Sequence, residues 1–453
     1  MQTIKTLKTI WLCAVLLIFS LATGKATTYF SGSATGDPTL TTSWWTGTGG
    51  TGSHPADFLS GDTFIIQSGH NYTIPHNIIW TVNATGAGTA ATVQINSGGT
   101  LTFTLDTGST CKLVLGGNFN KSGTIAGTTT TTTGTIEFTS NGAWTGSGDI
   151  SNVKGSIQVD SGVTLDASGM SAGFKLKSSN TIGITVNGTL IMGTLTISGN
   201  SNGSATFALG SSGTLVTAIT SASGVPGIFT GFSAGKITLP ITANYIFNGT
   251  AAQVTGTTAN NATMPAEVNN LTISNNTGVT LSQAMQVDGT LSFTAGKVTG
   301  NVTLGSSGVI SGGGSTAYLN GQLTVPFNSA PSSASYTFPV GTASAYSPVS
   351  IANFTDANSG SLTASATASQ NPNPGSGIDG SLYIARYWTL TGSGFASPTY
   401  NFTGTYVAGD IQNGANPATL IVRKWDGSSW SAPASSSSVG SPTFSVTGTG
   451  FTT

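Results

Sequence analysis

The side chains best suited to acid–base or metal chemistry lie close together in the N-terminal part of the sequence. They are His54, Asp57, Asp62, His70 and His76, a set holding all 3 histidines of the chain. Imidazoles with carboxylates can bind a divalent metal or exchange protons with a substrate. Their spacing fits neither use, because no His-x-His or His-x-x-x-His pair is present. Asp62 stands between Gly61 and Thr63, where an aspartate closes its own turn, and His70 lies in the turn-like Ser68-Gly69-His70-Asn71. Asp160 and Asp166 are the next carboxylates to consider, since glycoside hydrolysis needs two flanking the bond. They bracket Gly162-Val163-Thr164-Leu165, which places them at opposite ends of one strand as turn residues. A lyase acting on acidic sugars needs clustered bases beside acids. Here Lys175 and Lys177 stand alone, and both arginines, Arg386 and Arg423, are far along the chain.

Cys111 alternates with Lys112-Leu113-Val114-Leu115 as a strand residue does, and reads as a buried thiol acting as a small apolar side chain. Trp388, Trp425 and Trp430 are the candidates for stacking a ligand ring, with Tyr383, Tyr387 and Tyr406 nearby in sequence. Alternation puts Tyr387 and Trp388 on opposite faces of a strand, so at least one of them faces the core. The guanidinium of Arg386 can pack against a neighbouring ring. The expectation is a protein with no catalytic centre, no cofactor and no metal site.

The elements that would position these residues are strands. Charged residues are only 6% of the chain, against about 25% in an ordinary domain. The 63 glycines are about twice the usual share. Disordered chains combine low hydrophobicity with high net charge, whereas this one is 37% hydrophobic with a net charge of −1. No basic patch marks it for nucleic acid or for an anionic membrane surface. Short alternating runs such as Thr92-Val93-Gln94-Ile95 and Ser156-Ile157-Gln158-Val159 sit between Gly, Asn, Ser and Asp clusters, the pattern of strands and turns. No window after the first residues combines 3.6-residue apolar spacing with a charged face.

Lys5 and Lys8 precede an uncharged apolar run from Ile10 to Leu21, and small residues follow at Ala22, Gly24 and Ala26. This order reads as a secretory signal peptide, residues 1–26, cleaved after Gly24 or Ala26. The run is shorter than the roughly 20 residues of a comfortable membrane span. Cys13 then belongs to the signal, and loss of Lys5, Lys8 and Lys25 shifts the net charge from −1 to −4.

A Gly-Thr/Val-Leu/Ile step recurs at Gly99-Thr100-Leu101, Gly134-Thr135-Ile136, Gly162-Val163-Thr164-Leu165, Gly188-Thr189-Leu190, Gly213-Thr214-Leu215, Gly278-Val279-Thr280-Leu281 and Gly289-Thr290-Leu291. Several gaps are near ~25 residues, within the range of solenoid repeats. Helix-free units with glycine corners suit a right-handed parallel β-helix over residues 27–320. Beyond residue 320 prolines and aromatics increase. Eight strands are expected there: Leu323-Phe327, Tyr336-Val340, Val349-Phe354, Ser361-Ala368, Tyr383-Leu390, Thr399-Tyr406, Ala418-Trp425 and Thr443-Thr447. That spacing fits a β-sandwich over residues 321–453, ending within an apparent strand.

These stretches resemble large extracellular surface adhesins of Bacteroidetes exported by the type IX secretion system. Trp44-Trp45, Gly61-Asp62-Thr63-Phe64-Ile65-Ile66 and Ser68-Gly69-His70 resemble the opening coil of such proteins. Asn270-Leu271-Thr272-Ile273 with Asp288-Gly289-Thr290-Leu291 resembles their repeating coil. Phe338-Pro339-Val340-Gly341, Tyr346-Ser347-Pro348-Val349, Arg386-Tyr387-Trp388 and Trp425-Asp426-Gly427-Ser428-Ser429-Trp430 resemble the sandwich that follows. The resemblance implies an extracellular or outer cell-surface, adhesin-like protein. It also implies a C-terminal sorting domain with basic residues, which this sequence does not contain; a truncated chain or another export route would account for that.

The expected role is therefore non-catalytic contact with neutral polysaccharide or other cell-surface material, with no nucleic acid and no membrane span after signal removal. Two other classes compete with it. A carbohydrate-active β-helix enzyme would bring acidic side chains together in one groove. An ice-binding protein would repeat Thr-x-Thr pairs in phase. The pairs at Thr102-Phe103-Thr104 and Thr194-Leu195-Thr196, and the run Thr128 to Thr133, are scattered instead.

Overall fold

A computed structural model describes residues 26–84, 90–104, 110–127, 134–176, 182–199, 204–375, 378–438 and 443–452. The signal-like segment through Lys25, the Thr128 to Thr133 run and Lys177 lie outside these residues. The protein is all-β, a long solenoid of short strands that stack in parallel on their counterparts one turn later. Period-two alternation decides which side chains face inward. Along one face Trp80, Leu113, Ile136, Ile157, Ile184, Phe207 and Ile237 are successive register partners. All but the last are buried. Burying each such side chain contributes about 1.5–3 kcal/mol, and the ladder repeats on each face of the coil.

The glycine steps are strand entries. Thr164, Thr189 and Thr214 stack in register, and Leu165, Leu190 and Leu215 stack beside them wholly buried. Thr100 and Gly134 begin strands on two other sheets. The motif thus marks a corner on any face, which is why its spacing in sequence is uneven. Gly188 shows what the corner demands: a Cβ there would lie 2.1 Å from the Val163 carbonyl oxygen.

The two ends of the solenoid are finished differently. At the first coil the two-residue strand Trp44–Trp45 turns back antiparallel against Thr28–Ser31 and ends the long sheet. Very short edge strands of this kind discourage further pairing. Trp44 is wholly buried under this cap, stacked at 5.5 Å on Trp80, and its Nε1 donates to the Pro38 carbonyl at 2.9 Å.

Near residue 320 the solenoid hands over without a break. Leu323–Phe327 pairs in parallel with Val302–Leu304 and, on its other edge, antiparallel with Gly360–Thr367. Val340–Gly341 still pairs in parallel with Leu319–Asn320. Two antiparallel sheets follow. One carries Gly360–Thr367 and Tyr387–Ser393. The other runs Ala334–Phe338, Val349–Thr355, Thr399–Val407, Thr443–Thr452, Ala434–Ser438. They meet through Phe327 against Phe354 at 5.0 Å and Trp388 against Phe402 at 5.6 Å. Most expected strands are present, with two corrections. Only Lys424–Trp425 of the expected Ala418-Trp425 strand forms, because Asn416 Oδ1 caps Ala418 N–H and starts the 3-10 turn Pro417–Thr419. The expected strand at Tyr383 begins instead at Tyr387, because Ala385 N–H bonds out of the sheet to the Asp410 carbonyl. Among the described residues no helix is long and apolar enough to cross a membrane.

One inward position carries a charge. Lys121 is 3% exposed and sits between Ile95 and Gly146 in the stack. Desolvation lowers its pKa below the ordinary lysine value, with the charge of Asp149 opposing. The unfolded chain therefore keeps the proton to higher pH than the folded one, so this group destabilises the fold at neutral pH and ceases to do so above the ordinary lysine pKa. Lys121→Met should melt above the wild type at about pH 7, and the gap should narrow as the pH rises and close only above about 10.5. A gap independent of pH would show that packing, not charge, sets the difference.

Candidate functional site

Each residue of the N-terminal polar set has its own structural task. His54 Nδ1 bonds the Trp44 carbonyl at 2.7 Å, with its ring 3.9 Å from that of Trp45. His70 Nδ1 pairs with Ser31 Oγ at 2.7 Å, while His76 Nε2 faces Asn77 Nδ2 at 2.7 Å. Asp57 accepts from Leu59 N–H and Ser60 Oγ. Buried Asp62 accepts from Thr27 N–H at 2.7 Å, joining the first two rungs of the long sheet. Among the described residues no three His, Cys, Asp or Glu side chains converge as metal ligands would.

The other sequence candidates are also separate. Asp160 accepts from Gln158 Nε2 at 2.7 Å, and Gln158 also donates to Glu137, which binds Lys112 at 3.1 Å. Asp166 closes a turn through Ser168 N–H and Oγ. Lys175 is not alone, since it pairs with Asp149 at 3.2 Å. Cys111 is buried, its thiol directed at the Pro75 and Thr104 carbonyls. The outward row beside the buried ladder reads Thr81, Val114, Glu137, Gln158, Thr185, Ala208, which is a mixed surface and not a threonine array.

One carboxylate pair was not foreseen. Glu267 and Gln286 are register partners, and Gln286 Nε2 donates to Asp288 Oδ1 at 2.7 Å. A hydrogen bond with Asp288 raises the Glu267 pKa, with burial and the Asp288 charge adding to it. Coil-to-coil stacking brings the two together from about one repeat apart, so a correct repeat alignment was the only signal that could have found them.

The aromatic candidates divide. Trp388 is turned inward: its Nε1 donates to the Ser347 carbonyl at 3.1 Å and its ring covers Gly404. Tyr406 is wholly buried. Arg386 forks onto Asp410, with Nε–Oδ2 at 2.6 Å and Nη2–Oδ1 at 2.8 Å. Trp425 and Trp430 face each other across a hairpin, ring centroids 5.3 Å apart and tilted by 51°, both half-buried. The turn between them is tightly made. Asp426 accepts from the backbone and hydroxyls of both Ser428 and Ser429, and these bonds hold its carboxyl well below the usual carboxylate range. Gly427 supplies the left-handed backbone (φ +103°), and Trp430 Nε1 donates to the Asn373 carbonyl at 2.7 Å. A rigid pair of rings can stack an uncharged ring or cover an apolar patch. No protein-family model matches the chain, and neither does any curated protein or solved structure.

Proposed function

We propose that this is a secreted, adhesin-like surface protein whose solenoid is a scaffold and whose contacts with neutral polysaccharide or other surface material are non-catalytic. In this reading the coils wind right-handed and the two C-terminal sheets form a β-sandwich. Residues 1–26 are removed as a signal peptide, and the protein acts outside the cell in the manner of the Bacteroidetes type IX-exported adhesins it resembles. The observation that carries the reading is the Trp425–Trp430 hairpin, a rigid half-exposed ring pair, while the acid–base side chains near the N-terminus each hold local structure. A glycan-degrading enzyme is the second reading, favoured by the neighbouring carboxylates Glu267 and Asp288.

Affinity electrophoresis of residues 27–453 through gels containing neutral and acidic polysaccharides tests both. Trp425→Ala combined with Trp430→Ala should weaken retention by a neutral polysaccharide about tenfold or more, the scale of losing buried aromatic anchors, with an unchanged melting temperature. Reducing sugar released by the wild type and lost in Glu267→Gln would replace the scaffold reading with the enzymatic one.

A further inference from the structure

Three faces of the solenoid end near the C-terminal sheets, and two of them are closed. One passes into Gly360–Thr367 through Leu323–Phe327. Another ends at Val340–Gly341, which is bridged by Tyr346. The third is the long sheet, whose last strand, Val309–Gly312, pairs with Thr290–Ala295 on one edge and with nothing described on the other. Val309 N–H bonds back to the Gly289 carbonyl. In a parallel pair successive residues direct their backbone groups to alternate edges, so Ile310 and Gly312 direct theirs outward. Neither has a hydrogen-bond partner there among the described residues.

That edge is largely exposed but borders a cleft. It forms one wall of this cleft, which measures about 350 Å³ and whose other wall includes Tyr336, Thr337 and Tyr346. Ala334–Phe338, which carries Tyr336, is itself the outermost strand of its sheet. Two unpaired sheet edges therefore border the same cleft. No lining residue is charged, and no lysine, proline or bulge guards Val309–Gly312 as edge strands usually require. Burial pushes the Tyr336 phenol up to about 12, so the ring stays neutral at physiological pH. Gly313 closes one end, where an added Cβ would meet Pro339 at 2.7 Å.

We propose that this cleft binds an extended, uncharged polypeptide segment, which adds to the long sheet by backbone pairing with Ile310 and Gly312. Backbone groups two residues apart repeat every ~6.6 Å along a strand, a spacing that an extended peptide matches along its length. Charged side chains would be desolvated without a partner, which restricts the segment to apolar and small polar residues. The site is distinct from the tryptophan hairpin and stands whether or not that hairpin binds sugar.

The probe is a fluorescein-labelled, end-capped peptide copying Asn269 to Asn276, an uncharged segment that forms a coil strand in this same solenoid. Fluorescence anisotropy should show saturable binding to residues 27–453. Methylating alternate backbone nitrogens of the peptide should weaken binding at least about tenfold, as loss of the pairing groups requires. Ser311→Lys and Ile310→Pro should do the same, with circular dichroism reporting whether either variant has lost the fold. Equal binding of the methylated and unmethylated peptides would overturn the proposal, as would the absence of saturable binding. Displacement of the peptide by a neutral oligosaccharide, but not by unlabelled peptide, would assign the cleft to sugar and overturn it equally.

Discussion

Gln253→Ala should lower stability by about 3–5 kcal/mol, far beyond the loss of one hydrogen bond. Gln253 is 2% exposed at a corner where three coils meet. Its Nε2 donates to the Thr217 and Ile219 carbonyls, both at 3.1 Å, and its Oε1 accepts from Gly249 N–H at 2.8 Å and Asn275 Nδ2 at 2.9 Å. Asn275, wholly buried, extends the chain of contacts to the Ala251 carbonyl and to Thr277 N–H. Alanine would leave these groups buried with fewer partners, and each orphan costs about 1–3 kcal/mol. Solvent denaturation of the variant measures the loss. Because Gln253 and Asn275 share a bond, Gln253→Ala with Asn275→Ala should cost clearly less than the two single losses together. Strict additivity would mean that the corner acts through packing alone.

This corner also shows where sequence reading reached its limit. Inward apolar ladders follow from period two, so Leu101, Ile157, Val159 and Leu291 were legible as core. Gln253 and Asn275 look like turn residues in sequence, and only the stacking of coils turns them into a buried network. Lys121 breaks the alternation rule in the opposite sense, as a charge at an inward phase beneath Gly146. Ala434–Ser438 was missed because serine has weak strand preference; it forms a strand by pairing with Thr443–Thr452. The Trp425 to Trp430 hairpin was not foreseen, since its second strand, Trp430–Ser431, is only two residues long. Nor was the open edge at Val309–Gly312, because an edge is a property of sheet order and leaves no mark in the strand itself.

Asp410→Ala should cost about 3–5 kcal/mol and should melt the C-terminal sheets ahead of the solenoid. The fork between Arg386 and Asp410 is buried, at 5% and 7% exposure, and its geometry is bidentate. Asp410 also accepts from Val407 N–H at 3.0 Å, so alanine removes three bonds and strands a guanidinium in the interior. The fork reaches the last coil through Thr342. Arg386 Nη1 donates to Thr342 Oγ1 at 3.4 Å, and Tyr318 Oη donates to the Thr342 carbonyl at 2.9 Å. Loss of the fork therefore loosens the hand-over as well as the sheets. Calorimetry of Asp410→Ala should resolve an early transition absent from the wild type, since cooperativity between two units fails when their contact weakens. Removing both charges, in Arg386→Met with Asp410→Leu, should recover much of the loss, because an apolar pair carries no desolvation cost. If the double variant is as unstable as Asp410→Ala, the fork contributes through its precise shape and hydrogen bonds, and an apolar pair of similar size cannot replace it.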